Sequence, residues 1–539
     1  MRTHAFLLGL LVACGLATAA GRTQATSNGP RVEISFAASV RQQPVTGMVY
    51  LAISRDNRQS PIEQVSPTGV PLFSHYVENL APGAVVGLGA ADRGYPVASL
   101  RDIPAGEYWV QPFVNVYTRF ARADGHIVWM HMDQWEGQNW KESPGNLYGD
   151  PVRVRLDPSS SAPLRLVADK VIPPVQVPPD TRYVKRIKLK SEILSRWWGQ
   201  PIYLGATVLL PKGYDEHRDE RYPVNYVQGH FSLAPPEGFG RTGRGGRGAD
   251  FESLWLADGT PRFIYVTLQH PSPYYDDSYG VNSENNGPYG DAIMQELVPA
   301  IEQRFRVVRE PWARMLSGGS TGGWIALAQQ IFYPDFYGGT FASCPDSVDF
   351  DYHQIVNVYK DANAYYLDRG WMKIERPNER RPDGSIISMM KDENHYELTV
   401  GDHSRSGGQW DIWEATYSPV GPDGYPRRIW NKETGDIDHA VAEEWKKYDL
   451  LNVLKTQWAT LGPKLAGKLN VYVGDMDTYY LNDAVENMHD FLSKADNPKW
   501  TGEILTERRA PHCWGPSQKE LLDKMTAQIQ RSGHQVNRE

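Results

Sequence analysis

The chain has little cysteine, no excess of basic residues, and no long uncharged hydrophobic run beyond residues 1–20. Three cysteines in 539 residues exclude a disulfide-rich scaffold and a cysteine-rich zinc protein. Lys and Arg number 56 against 64 Asp and Glu, giving a formal net charge of −8. Nucleic acid is therefore not an expected partner. The sequence also lacks an H-E-x-x-H metal pattern, and neither a metal nor a cofactor is predicted.

Residues 1–20 have the pattern of an export signal. Arg2 precedes a short apolar run, which is followed by small residues at Ala17–Ala19. The run is too short for a stable membrane span, so we predict a signal peptide and a secreted or periplasmic protein. The Leu-Val-Ala-Cys14 segment offers an alternative, anchoring as a lipoprotein through Cys14.

After residue 20, the residue pattern of the chain changes once, at a proline-rich segment. Residues 28–170 contain short runs with alternating polar and apolar residues, and we predict that they form an Ig-like β-sandwich of antiparallel strands. Residues 171–180 are rich in proline and are predicted to form a stiff linker. The predicted strands of the first domain lie at 31–36, 47–53, 106–113 and 152–156.

Residues 181–535 alternate between apolar strands and helices, which predicts an α/β domain with a mostly parallel sheet. Residues 351–450 interrupt this alternation and are predicted to form a lid-like insertion. The predicted strands lie at 204–210, 223–227, 263–268, 313–317, 339–343 and 469–473, and the predicted helices at about 288–305, 321–333, 481–494 and 516–531.

The sharpest motif is Gly318-Gly-Ser320-Thr-Gly322. It fits G-x-S-x-G between an apolar strand and an uncharged helix, the context in which a serine hydroxyl is raised above a sheet. The glycines remove side chains that would collide at such a turn. We therefore predict Ser320 as a nucleophile.

A serine nucleophile needs a base, and the base needs an acid to orient it. His512 lies in a loop just before the C-terminal helix, where this fold class places its base. Asp477 follows the strand ending at Gly474 and is the predicted acid, with Asp475 on the same turn as the alternative.

Two backbone N–H groups are needed to stabilise the oxyanion. The first predicted donor is Thr321, at the start of the helix after the nucleophile. The second is His230 or Phe231, which follow Gly229 at the end of an early strand. Cys344 and Cys513 either pair as a disulfide in an oxidising compartment or remain as buried thiols.

The segments Asn286–Glu302 and Leu316–Gly323 (NGPYGDAIMQELVPAIE and LSGGSTGG) resemble the putative esterase family of α/β-hydrolases. That family includes feruloyl and enterochelin esterases and S-formylglutathione hydrolase. The resemblance implies an α/β-hydrolase fold and the same three roles for Ser320, His512 and Asp477.

We therefore predict an exported serine hydrolase that cleaves carboxylic esters through an acyl-enzyme. The predicted substrate is a small-molecule or glycan-linked ester. Two alternatives stay open at this point: an acyltransferase of the same fold, and a glycan-binding surface protein with a degenerate hydrolase domain. The sequence leaves the oligomeric state and the natural ester open.

Overall fold

The computed structural model describes residues 31–160, 162–241 and 247–538. The predicted signal peptide at 1–20, including Cys14, lies outside these residues. Within the described ranges, no helix combines the length and apolar character needed to cross a membrane.

The N-terminal part of the chain is built from strands. Besides one 3-10 turn, the secondary structure up to Val171 consists of β1 (Val32–Phe36), β2 (Val45–Ser54), β3 (Leu72–Leu80), β4 (Val86–Leu88), β5 (Arg93–Tyr95), β6 (Gly106–Ala121), β7 (Ile127–His131), β8 (Leu147–Tyr148), β9 (Val152–Leu156), β10 (Leu164–Ala168) and β11 (Lys170–Val171). A three-stranded sheet, β10-β1-β4, and a larger sheet centred on β6 and β2 share a core that includes Ile34, Leu51 and Val110. Most pairs are antiparallel as predicted, but β1 and β10 run parallel. The status of this part as a separate sandwich domain stays a prediction.

The rest of the chain alternates strands and helices. After an extended segment over the predicted linker, the strands are β12 (Val184–Ser191), β13 (Ile202–Leu209), β14 (Val224–Gln228), β15 (Ile264–Gln269), β16 (Asn282–Ser283), β17 (Gly287–Pro288), β18 (Arg314–Gly319), β19 (Gly339–Ser343), β20 (Tyr366–Asp368), β21 (Lys373–Glu375), β22 (Pro377–Arg380), β23 (Ile386–Met389), β24 (Leu469–Gly474) and β25 (Glu503–Glu507). The α-helices are α1 (Glu192–Trp198), α2 (Arg247–Leu256), α3 (Tyr289–Ala292), α4 (Val298–Arg304), α5 (Thr321–Phe332), α6 (Met390–Val400), α7 (Gln409–Tyr417), α8 (His439–Trp445), α9 (Leu450–Leu465), α10 (Asn482–Lys494) and α11 (Gln518–Arg531).

The central sheet has eight strands in the order β12-β13-β15-β14-β18-β19-β24-β25. The first two pairings are antiparallel and the other five are parallel. This is the mixed, mostly parallel α/β sheet that the sequence predicts. Because the parallel strands point the same way, the segments after β14, β18, β19, β24 and β25 meet at one edge of the sheet.

Residues 351–450 leave the sheet after β19 and return before β24. They form two small hairpins, β20-β21 and β22-β23, and helices α6 to α8. This segment also contacts the N-terminal strands: the hydroxyl of Tyr50 donates to the carbonyl of Val400, and the rings of Tyr95 and Tyr396 lie 6.0 Å apart. Its role as a lid stays a prediction.

Candidate active site

Ser320 occupies a strained turn between β18 and α5. Its backbone has φ 57° and ψ −127°, a region that non-glycine residues rarely adopt. A Cβ on Gly322 would lie 2.1 Å from the carbonyl oxygen of Gln228, and one on Gly318 would lie 2.3 Å from the carbonyl oxygen of Gly322. Both positions therefore exclude any larger residue, as the motif requires.

Three side chains distant in sequence meet at this turn. His512 Nε2 lies 3.0 Å from Ser320 Oγ, and His512 Nδ1 lies 2.7 Å from Asp477 Oδ2. Both distances are within hydrogen-bonding range, and the order Ser–His–Asp is that of a nucleophile, its base and an orienting acid. With Nδ1 protonated towards Asp477, Nε2 is free to accept the serine proton.

The two candidate acids lie in different environments. Asp477 is fully buried, and its Oδ1 accepts hydrogen bonds from the backbone N–H groups of Tyr479 at 2.9 Å and Leu481 at 3.3 Å. Asp475 instead accepts from the backbone N–H of Arg509 at 2.5 Å and has no contact with the imidazole. The geometry thus brings Asp477, and not Asp475, to His512.

Cys344 and Cys513 form a disulfide, with their Cα atoms 4.8 Å apart. The bond joins the residue after β19 to the residue after His512. The backbone N–H of Ser320 donates to Cys344 Sγ at 3.2 Å and to the Ser343 carbonyl at 3.0 Å. The disulfide therefore links the residues that hold the backbone of Ser320 to the loop that contains His512.

The predicted oxyanion donors come from two elements, the start of α5 and the segment after β14. Thr321 is the first residue of α5, whose first N–H groups have no partner within the helix. His230 follows β14 and lines the same cavity as Ser320. The ring of Phe231 packs edge-on against Trp135 at 5.1 Å and lines a separate groove.

His230 carries a positive charge at the cavity rim. Its Nδ1 lies 3.0 Å from Asp276 Oδ1 and 3.5 Å from Asp277 Oδ2. Burial alone lowers the pKa of His230, but the two carboxylates outweigh it and raise that pKa to about 11. The same carboxylates balance the charge.

Sequence reasoning missed Asp346, a buried carboxyl beside the nucleophile. Its Oδ1 lies 3.4 Å from Ser320 Oγ, and its Oδ2 accepts from Thr321 Oγ1 at 3.1 Å and from Gln409 Nε2 at 3.2 Å. Tyr279 OH donates to the same oxygen at 2.5 Å. Burial raises the pKa of Asp346, and hydrogen bonds and nearby histidines oppose this rise. Its position three residues after β19, at the edge where the strands end, is the signal that could have found it.

A cavity of about 450 Å³ opens above Ser320. Residues 351–450 supply much of its wall, including Trp410 and Trp413. These two indoles are only 2% and 1% exposed and pack against each other with ring centroids 4.6 Å apart. Their main contacts are therefore within the wall.

Residues 203–348 match the family whose model is described as "Putative esterase". The matched segment runs from β13 to just beyond β19 and contains Ser320, Thr321 and Asp346. It confirms the predicted resemblance and places the α/β part of the chain in the class of carboxylic ester hydrolases. No curated protein sequence matches the chain.

The solved structures to which the chain is similar share little sequence with it. A ferulic acid esterase is 14% identical, with 64% of this chain and 98% of that chain covered and a TM-score of 0.39. An S-formylglutathione hydrolase from Agrobacterium tumefaciens is 12% identical, with 65% and 97% covered and a TM-score of 0.33. A fluorophosphonate-binding serine hydrolase from Staphylococcus aureus is 12% identical, with 64% and 98% covered and a TM-score of 0.35. At these scores the structures add no argument about function to the family match.

Proposed function

We propose that the protein is a serine esterase that hydrolyses carboxylic esters through an acyl-enzyme. The observation that carries the proposal is the hydrogen-bonded chain from Ser320 through His512 to Asp477, at the turn of a segment that matches an esterase family. These hydrogen bonds argue against the alternative of a non-catalytic binding protein, because such a protein does not need the three side chains to be hydrogen-bonded to one another.

In the first half-reaction, Ser320 Oγ attacks the ester carbonyl carbon and its proton moves to His512 Nε2. The carbonyl π electrons move onto oxygen, and the N–H groups of Thr321 and of His230 or Phe231 stabilise that oxyanion. When the carbonyl re-forms, the C–O bond to the alcohol breaks and His512 returns the proton to the leaving oxygen. Asp477 keeps Nδ1–H oriented and stabilises the imidazolium.

In the second half-reaction, water takes the place of the alcohol. His512 removes a proton from water, the resulting hydroxide attacks the acyl carbon, and the tetrahedral intermediate collapses to release the carboxylic acid. The proton held on His512 returns to Ser320 Oγ, which regenerates the free enzyme.

We also propose that the enzyme acts outside the cytoplasm on a small-molecule or glycan-linked ester. The disulfide between Cys344 and Cys513 supports this location, because such bonds persist in oxidising compartments. Export through the leader at 1–20 remains part of this proposal.

The test is covalent labelling with a fluorophosphonate together with hydrolysis of p-nitrophenyl acetate. The wild-type protein is expected to be labelled at Ser320, and Ser320→Ala to lose both the label and at least about 10³-fold in kcat. Ser317→Ala serves as the matched serine control, since Ser317 lies on the preceding strand β18 and accepts a hydrogen bond from Asn225 Nδ2. Labelling elsewhere, or an unchanged rate in Ser320→Ala, would refute the proposal.

A further inference from the structure

The wall that residues 351–450 contribute to the cavity contains hydrogen-bond acceptors without donors. Gln354 Oε1, Asn378 Oδ1 and Glu393 Oε2 are buried, and none has a partner in the part of the chain that the structure describes. Gln354 and Asn378 are each only 3% exposed. All three residues line the cavity that contains Ser320. Buried acceptors left unpaired cost free energy, so this wall is suited to a ligand that supplies donors.

The orientation of Asn378 follows from its neighbours. Its Nδ2 donates to Ser388 Oγ at 3.4 Å. This arrangement occupies the amide nitrogen and leaves Oδ1 as the unpaired atom. The wall therefore presents an acceptor at this position.

The same wall carries negative charge without a matching cation. Glu379 and Glu393 both line the cavity, and the described lining residues include no Lys or Arg. Nearby Lys432 is already paired with Glu397 at 2.9 Å and with Asp411.

The other two cationic side chains near the cavity, Arg380 and His230, also have partners outside this wall. Arg380 donates to the carbonyl oxygens of Asp477 and Asp475 at 3.0 and 3.1 Å and to Asn482 Oδ1 at 2.9 Å. The charge on His230 is balanced by Asp276 and Asp277. Neither cation is therefore available to pair with Glu379 and Glu393.

Without a cation, burial in one wall disfavours the ionised form of both carboxyl groups. Burial, and then the nearby Glu379, raises the pKa of Glu393 to about 8. Burial also raises the pKa of Glu379. A ligand cation at this position would compensate the buried carboxylates in place of the proton.

Aromatic rings complete the surroundings. Tyr479 is half-buried and lines the cavity together with the two glutamates, whereas Trp410 and Trp413 pack mainly within the wall. Aromatic faces attract ammonium and guanidinium groups, and carboxylates accept their N–H bonds.

From these contacts we propose that the substrate of this site carries a primary ammonium or guanidinium group, held by Gln354, Asn378, Glu379 and Glu393 while its ester lies at Ser320. This inference rests on the proposed esterase function and adds the substrate class. A cationic nitrogen fits this wall better than a neutral hydroxyl donor, because the wall presents two carboxyl groups in addition to the amide oxygens.

The test compares esters that differ only in one terminal group. On the acyl side, p-nitrophenyl 6-aminohexanoate is compared with the 6-hydroxyhexanoate and the heptanoate. On the alcohol side, 4-(aminomethyl)phenyl acetate is compared with the 4-hydroxymethyl and 4-ethyl analogues. In at least one series, kcat/KM for the cationic ester is expected to exceed both neutral values by at least about 10-fold, as for charge-assisted hydrogen bonds.

Two variants test whether the wall causes this preference. Glu393→Gln is expected to reduce the cationic-to-neutral ratio of kcat/KM by about 10-fold. Glu443→Gln is the matched control on the same insertion, since Glu443 is 62% exposed and pairs with Lys446. It is expected to leave the ratio at the wild-type value.

A binding measurement separates this inference from the proposed function. Calorimetry of hexylammonium chloride with Ser320→Ala is expected to show binding that Glu393→Gln in the same background weakens by about 10-fold. If neutral esters are hydrolysed but neither series favours the cation, only the substrate class is overturned. If no ester is hydrolysed but hexylammonium binds as described, only the esterase function fails. Absence of hexylammonium binding would overturn the cationic site.

Discussion

Two aspartates on one turn are chemically alike in the sequence, but their contacts differ at the level of single residues. Asp477 is fully buried and meets His512 Nδ1 at 2.7 Å, whereas Asp475 binds the backbone of Arg509. An acid that orients the base must hold one imidazole tautomer, and only the buried carboxylate contacts the ring. We therefore expect Asp477 rather than Asp475 to act as the acid, because of this contact and not because of the residue type.

We predict that Asp477→Asn lowers kcat for p-nitrophenyl acetate by about 10³–10⁴-fold, because the amide favours the wrong imidazole tautomer. KM is expected to change little, since Asp477 does not line the cavity. Steady-state kinetics measure both constants.

Asp475→Asn is the matched control for this prediction. It keeps the shape of the turn and is expected to stay within about threefold of the wild-type kcat, since surface turn changes cost little. Equal losses in the two variants would show that the turn, rather than the Asp477 carboxylate, matters.

At the scale of elements, the disulfide fixes two loops that the sheet alone does not hold together. It spans 169 residues of sequence and connects the end of β19 to the loop after β25. In the sheet, β24 separates these two strands. The bond thus connects the turn that carries Ser320 to the loop that carries His512.

We predict that Cys344→Ala combined with Cys513→Ala lowers the free energy of unfolding by about 2–5 kcal/mol, because a long loop is no longer closed in the unfolded state. It is also expected to lower kcat more than it raises KM, since His512 is adjacent to the lost bond. Denaturant unfolding and steady-state kinetics give these values. Reduction of the wild-type protein is the matched treatment, and unchanged unfolding in both cases would contradict the prediction.

At the scale of the whole molecule, the N-terminal strands support the cavity wall. Arg405, in the segment 351–450, is 7% exposed and donates to the Trp129 carbonyl at 3.0 Å. Its guanidinium also lies over the rings of Tyr76 and Tyr117, 5.1 and 5.0 Å from their centroids. The insertion is therefore anchored to the N-terminal sheet through Arg405.

We predict that Arg405→Ala lowers the free energy of unfolding by about 1–3 kcal/mol, because it removes the hydrogen bonds of a buried guanidinium and its packing over the aromatic rings. The shifted wall is also expected to raise KM. Arg427→Ala is the matched control, since the Arg427–Asp438 pair is 44% and 43% exposed and such pairs contribute less than about 1 kcal/mol. Thermal unfolding and ester hydrolysis test both variants, and equal effects would contradict the anchoring role.

The interior strands of the central sheet and the residues on the turns around Ser320, Asp477 and His512 could be predicted from the amino-acid sequence. Strands such as β18 and β19 are buried on both faces, so they appear as apolar runs. The edge strands β12 and β25 were missed: β12 alternates with Lys and Arg, and β25 has only five residues. An edge strand is less enclosed than an interior strand and needs fewer apolar residues. Its apolar pattern in the sequence is therefore weak.

The packing of distant elements was needed to show which aspartate contacts His512, that Cys344 and Cys513 pair, and that Asp346 lies beside Ser320. It also brought Gln354, Asn378 and Glu393 into one cavity wall. Local periodicity reports which face of an element is buried, because burial repeats along the chain with the period of the element. It does not report which distant side chain lies opposite, because that contact depends on how whole elements pack.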